Sequence, residues 1–308
     1  MLSLSLAAEK SFLLFRATAC RHARAVQPLK PAEIRHAVRA ALAEDIGSGD
    51  VTTLATVPAA ARIDACMRAR ESLVVAGLAF AESAFCQLSP GVKIQRLAKD
   101  GERVKAGANL LKVSGAARAI LSAERVALNF LQRLSGVATL TARFVTELRG
   151  TRAEVLDTRK TTPGWRRFEK YAVACGGGRN HRTGLYDMVL IKDNHLAALR
   201  DARPNAIAAA VQRARKKFPK LKVEVEADTL EQVAQAADAG ADIILLDNMS
   251  TAQLRRAVKL VRGRAKTEAS GGVNLQTIRA IAQTGVDFVS VGALTHSARA
   301  VDIGLDFE

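Results

Sequence analysis

From about residue 150 onward, short apolar β-branched runs alternate with helical stretches, and this rhythm limits the chain to very few folds. The runs are 153–156, 188–191, 223–225, 243–246, 267–269 and 288–291. Between them, helical periodicity is clearest at 205–217, 230–239, 251–261 and 275–283. Successive β-then-α units argue for a parallel sheet, and six in a row favour a barrel over an open sheet. Charged residues or glycines follow each run: Asp157, Arg159 and Lys160, then Lys192, Glu226, Asp247-Asn248, Ser270-Gly271-Gly272 and Gly292-Ala293. The carboxyl ends of parallel strands form the active face of such barrels. The last two glycine sites suit a phosphate held by backbone N–H groups.

Residues 157–195 are the densest part of that face. Eight Lys or Arg against four Asp or Glu point to an anionic ligand, because guanidinium forks and ammonium charges match carboxylates and phosphates. The run Gly176-Gly177-Gly178 predicts a tight turn that lets the backbone approach a ligand closely. Glu226 and Asp247 could bind Mg²⁺, a hard cation that takes oxygen ligands, or could hold sugar hydroxyls. A sugar phosphate bearing a pyrophosphate would use all of these groups.

The N-terminal part reads differently. Residues 31–43 carry Ile34, Val38 and Leu42 on one helical face, followed by a polar loop over 44–53. Residues 62–115 alternate apolar runs with turns, as strands do. A helix is predicted over 116–134 and ends at Ser135-Gly136, with a second over 138–148. The expected organisation is an extension over 1–30, an α/β domain over 31–134, a barrel over 135–295 and a closing segment over 296–308. The extension is read as a disordered tail or an organelle-targeting segment.

A net charge of +16 raises nucleic-acid binding as a competing class. Basic residues are spread along the chain, and two Tyr and one Trp leave little to stack on bases, so capture of small polyanions is the better reading. No apolar run approaches the roughly 20 residues of a membrane span. Cys20, Cys66, Cys86 and Cys175 share no CxxC spacing, which fits a reducing cytoplasm. Cys175, beside the glycines, is read as a small neutral filler.

Seven segments in order, EDIGSGDVTT, ERVALNFLQRLSGVAT, DTRKTTPG, GGGRNHRTGLYD, LIKDNH, LLDN and EASGG, resemble those of the quinolinate phosphoribosyltransferases, the decarboxylating nicotinate-nucleotide pyrophosphorylases. The resemblance covers about residues 31–308. It implies an N-terminal α/β sandwich, a C-terminal open, incomplete α/β barrel, and a last segment returning to the first domain. It also implies a homodimer that joins quinolinate to phosphoribosyl pyrophosphate (PRPP) with Mg²⁺, releasing pyrophosphate and carbon dioxide. Arg159, His181, Arg182, Lys160 and Lys192 would meet quinolinate, and Arg125 would reach the partner's site. Lys160, Lys192, Glu226 and Asp247 would be catalytic, with Glu226 and Asp247 also on ribose and Mg²⁺. Ser270, Gly271, Gly272, Gly292 and Ala293 would take the 5′-phosphate.

Some alternatives stay open. Arg125 could pair with Glu124, His181 could orient Arg159, and Glu224 rivals Glu226 because both point to one face of a strand. Trp165 replaces a smaller apolar residue expected in the TTPG loop. Neither nucleic acid nor membrane is an expected partner. Competing activities are a same-fold molybdenum-transport-associated protein and a nicotinate phosphoribosyltransferase.

Overall fold

The structure, a computed structural model, describes residues 28–308. Most of the expected N-terminal extension therefore lies outside the described residues. Among the described residues, no helix is long and apolar enough to cross a membrane.

Two sheets divide the work. The first is antiparallel, in the order β12 (Ile303–Phe307), β1 (Arg62–Ala69), β5 (Asn109–Ala116), β3 (Lys93–Arg96). The chain ends in this sheet: Ala65 faces Phe307 and Ala69 faces Ile303 across the β1–β12 ladder. Helix α1 (Pro31–Ile46) packs against α3 (Leu78–Leu88), burying Ile34, Val38 and Leu42. The helix outruns its predicted end by three residues. Part of the predicted loop is a short helix, α2 (Val51–Thr56), because the Asp50 carboxylate accepts from Thr53 N and caps it.

The second sheet is parallel, in the order β6 (Glu154–Leu156), β11 (Phe288–Ser290), β10 (Lys266–Ser270), β9 (Ile243–Asp247), β8 (Val223–Ala227), β7 (Val189–Ile191). Strands β6 and β7 are successive in the chain yet sit at opposite edges, so the barrel curls but does not close. Helices α7 (Ala206–Lys217), α8 (Leu230–Asp238) and α9 (Thr251–Val261) lie where the periodicity put them. The predicted helix over 275–283 shrinks to α10 (Ile278–Ala282).

The largest departure from the sequence reading is α4 (Ala117–Glu147), one unbroken helix of 31 residues where two were expected. Ser135 and Gly136 lie inside it. Ser135 Oγ accepts from Ala76 N at 3.0 Å, while a Cβ at position 136 would stand 2.0 Å from Arg299 O. The glycine is there because the returning C-terminal segment crosses the helix, a packing demand that mimics a helix terminator in sequence.

Candidate active site

A cavity of about 750 Å³ opens at the carboxyl ends of the parallel strands. Its lining includes Arg159, Lys160, His181, Arg182, Lys192, Glu226, Asp247, Ser270, Gly271, Gly272, Gly292 and Ala293. Of the sequence-assigned residues, only Arg125 lies elsewhere. It is exposed on α4, outside this cavity, and forms no ion pair with Glu124.

Arg159, Lys160 and Arg182 stand in the cavity with no acidic side chain within ion-pair distance among the described residues. Arg159 Nε is buried with no hydrogen-bond partner among the described residues. Burial and the neighbouring Arg159 charge lower the Arg182 pKa, with Glu224 pulling the other way. Two guanidiniums set together without carboxylates favour a ligand that brings its own negative charge. Lys192, by contrast, is paired with Glu226. Asp247, at the end of β9, accepts from Asn248 Nδ2 at 2.7 Å.

The glycine turns are shaped as the phosphate reading requires. Gly271 and Gly272 have φ of +96° and +58°, and a Cβ at 271 would stand 2.1 Å from Asn248 Oδ1. A Cβ on Gly292 would stand 3.0 Å from His296 Nε2 and 3.1 Å from Lys160 Cδ. No protein acceptor takes the backbone N–H of Gly271, Gly272 or Gly292 among the described residues. Free donors on tight turns are what an anion needs.

Beneath the cations lies a set of residues that the sequence reading placed differently or passed over. Asp157 does not face the cavity. It is fully buried, paired with Lys170 of α5 (Arg166–Cys175), and bonded by Asn180 Nδ2 at 2.7 Å. This pair grips the backbone of His181: His181 N donates to Asp157 Oδ1 at 2.8 Å, and Lys170 Nζ donates to His181 O at 3.0 Å. The imidazole is held as well. Its Nδ1 accepts from Arg182 N at 2.8 Å, and its Nε2 lies 2.9 Å from Glu224 Oε2 and 3.5 Å from Glu268 Oε2. His181 thus engages Glu224 and the Arg182 backbone rather than orienting Arg159. Glu224 and Glu226 share a strand face but not a depth: Glu224 is fully buried under His181, and Glu226 reaches the mouth.

The triple glycine is a second correction. Added Cβ atoms at Gly176 and Gly178 would stand 2.4 Å from Ala138 O and 2.8 Å from Thr141 Cγ2. These glycines let the turn after α5 lie against α4; they do not line the cavity. Cys175 is buried, and burial followed by the Asp100 charge pushes its thiol up to about 12, so it supplies no thiolate. Trp165 fills its loop by stacking on Phe130, with centroids 4.9 Å apart. Glu169 fastens the same loop by accepting from Thr162 N and Thr162 Oγ1.

Fold and cavity define the class: an open α/β-barrel enzyme whose strand ends form one anion-binding site. Comparisons with known proteins give the family. Residues 137–306 match the quinolinate phosphoribosyl transferase C-terminal domain, and residues 50–135 match the N-terminal domain. The chain is 44% identical over 292 residues to the chloroplastic nicotinate-nucleotide pyrophosphorylase [carboxylating] of Arabidopsis thaliana, covering 90% of this chain and 83% of that one. It is 44% identical over 278 residues to the enzyme of that name from Mycobacterium leprae, covering 88% and 96%. The solved nicotinate-nucleotide pyrophosphorylase from Francisella tularensis superposes with a TM-score of 0.87 at 40% identity, covering 93% of this chain and all of that one. The chain belongs to the quinolinate phosphoribosyltransferase family.

Proposed function

We propose that this enzyme transfers the phosphoribosyl group of PRPP to quinolinate and decarboxylates the adduct, giving nicotinate mononucleotide, pyrophosphate and carbon dioxide. The observation that carries this is the set of three cations, Arg159, Lys160 and Arg182, standing without carboxylate partners beside two free glycine turns. A dicarboxylate answers the first group and a 5′-phosphate the second. A monocarboxylate such as nicotinate would leave part of that positive charge unmatched.

In this reading Arg159 and Arg182 bind the quinolinate carboxylates, with Lys160 at the edge. His181 is positioned by its four contacts to complete that wall. Ser270, Gly271, Gly272, Gly292 and Ala293 hold the 5′-phosphate. Glu226 and Asp247 hold the ribose, and Lys192 stands at the junction through its pair with Glu226. The pyridine nitrogen attacks the anomeric carbon as pyrophosphate leaves. Carboxylates beside the ribose stabilise positive charge developing on the sugar, and cations stabilise the leaving group. Once alkylated, the positive pyridinium nitrogen favours loss of the adjacent carboxylate, so the protein mainly orients and neutralises.

Glu226 and Asp247 also fit Mg²⁺, since both present hard oxygens at a polar, open mouth where the ion can keep several waters. Bound there with PRPP, it would neutralise pyrophosphate charge. The active form is read as a homodimer in which Arg125 completes the partner's site. Its exposure on α4, away from its own cavity, supports this. So do the exposed apolar side chains Val51 and Leu54 on α2, which Arg118 ties to α4 through Val57 O at 2.8 Å. The protein is read as cytoplasmic from its unpaired cysteine pattern. A fluorescent fusion of residues 1–30 tests that, and an organellar signal would overturn it.

Calorimetric titration tests the substrate reading: quinolinate should bind at least tenfold tighter than nicotinate, and equal affinities would contradict it. Mixing subunits carrying Arg125→Ala with subunits carrying Asp247→Asn should restore activity, because each heterodimer regains one intact site. Verified heterodimers without activity would remove the shared site.

A further inference from the structure

Glu224 and Glu268 are the two acids nearest the cavity floor, and the reaction proposed above assigns neither a role. Both are almost fully buried, at 0% and 1% exposure. Their oxygens and His181 Nε2 lie within 4.8 Å of one another, and among the described residues no Lys or Arg pairs with either acid. Among the described residues, neither Glu224 oxygen nor Glu268 Oε2 has an aligned hydrogen-bond donor. A His and two carboxylates at this spacing are a set that could hold a metal or a proton.

The imidazole decides between them. Arg182 N donates to His181 Nδ1, so Nδ1 carries the lone pair and Nε2 carries the hydrogen. A metal on Nε2 would require the opposite tautomer, with Nδ1 as donor. The cluster therefore offers one N–H to two buried carboxylates. Two ionised carboxylates this close in a buried site repel strongly, so one of them keeps a proton. Glu268 is that one: burial first, and then the Glu224 charge, raise its pKa to about 8. The groups facing it are Glu224 from β8, His181 from the loop above and Ser290 from β11. Glu268, unlike Glu224, also lines the cavity. A neutral carboxylic acid thus sits under the cationic wall of a site that must form a carbanion.

We propose that Glu268 is the acid that protonates the pyridine C2 carbon once the C2–carboxylate bond breaks, trapping the carbanion before carbon dioxide can recombine with it. The inference rests on the quinolinate reaction described above. The C2–carboxylate bond breaks, carbon dioxide forms, and the electron pair stays on C2, stabilised by the adjacent cationic nitrogen. The carbon dioxide, still beside C2, re-forms the carboxylate unless the Glu268 O–H donates its proton to make the C2–H bond, so protonation commits carbon dioxide release. Glu268 is left as a carboxylate beside Glu224. Their repulsion returns the pair to its singly protonated state by taking a proton from water once product has left. Glu224 and His181 act as positioning residues, holding the proton on Glu268 and the carboxyl in place.

The test is a single turnover of Glu268→Gln with PRPP, Mg²⁺ and carboxyl-labelled quinolinate, following pyrophosphate and carbon dioxide separately. Glutamine has the shape and charge of the protonated acid, so binding and phosphoribosyl transfer should persist. Pyrophosphate formation should stay near the wild-type rate. Carbon dioxide release should slow by about 10²–10⁴-fold, the range for loss of a positioned acid, with the dicarboxylate nucleotide accumulating. Equal rates for both products in Glu268→Gln, slowed or not, would overturn the proposal. If the variant does not fold, the wild type carries the test: carbon dioxide release must fall as pH rises through about 8 while pyrophosphate release does not. Parallel profiles would overturn it. A wild type that makes neither product would instead sink the quinolinate reaction itself, so the two failures are distinguishable.

Discussion

The mouth and the floor of the cavity are built on opposite principles. At the mouth, Arg159, Lys160, Asp247 and the glycine turns carry charges and donors that the protein leaves mostly unused. At the floor, Asp157, Lys170 and His181 are committed to one another, and His181 is held at four atoms, with its Nε2 beside Glu224. Unspent groups bind a ligand, and committed groups fix where the unspent ones stand. Changes at the mouth should therefore alter kinetics with little effect on stability, and changes at the floor should alter both.

The largest expected effect is at the floor. Asp157→Asn leaves Lys170 charged, buried and without its counter-ion. Breaking one side of such a pair costs about 3–5 kcal/mol. Thermal unfolding should show a large drop in Tm, and the surviving protein should have a raised KM for quinolinate because the His181–Arg182 turn is loosened. A Tm within a degree of wild type would show that the clamp is not structural.

Next comes Arg182→Ala at the mouth. Hydrogen bonds to charged groups contribute about 1.5–3 kcal/mol, or roughly 10- to 150-fold in affinity. The KM for quinolinate should rise by that factor while the KM for PRPP and the Tm hold. Equal increases for both substrates would contradict the division of the cavity into carboxylate and phosphate ends.

A third effect is spread over pH and shows only in the pH dependence of stability. An unfolded Glu268 loses its proton near 4.5, whereas the folded one keeps it to about 8. The raised pKa means that its contribution is fully present below 4.5 and is lost as pH rises through 8. Wild-type Tm should therefore decline relative to Glu268→Gln between those values and run parallel above them. Parallel curves throughout would show that Glu268 is ionised in the folded protein.

The same contrast explains what the sequence revealed. The mouth was legible because its residues follow strands directly, and strand ends can be read from β-branched runs. The parallel β-then-α succession, the six strand ends and twelve cavity-lining residues followed from that alone or from the motifs laid on it. The floor was not. Glu224 and Glu226 differ only in depth, which depends on His181 arriving from another segment. Glu268 sits inside EASGG, where the eye goes to the glycines. A signal was present: Glu268 lies mid-strand, in KTEAS, in the interior of a parallel sheet, where an acid is buried only with a reason. Asp157 looked like a pocket charge because its partner, Lys170, lies 13 residues away on a helix face. Gly136 and Gly176–Gly178 misled for a related reason. Gly136, Gly176 and Gly178 are small because another segment crosses each, and Gly177 because its φ is +86°; sequence periodicity carries no record of crossings.

The most direct test of the central claim is a product assay on the wild type with PRPP and Mg²⁺, offering quinolinate or nicotinate as the base. The expected result is nicotinate mononucleotide from quinolinate, with pyrophosphate and carbon dioxide released in equal amounts, and no product from nicotinate. Product from nicotinate at a comparable rate, or none from quinolinate with a folded protein, would contradict it.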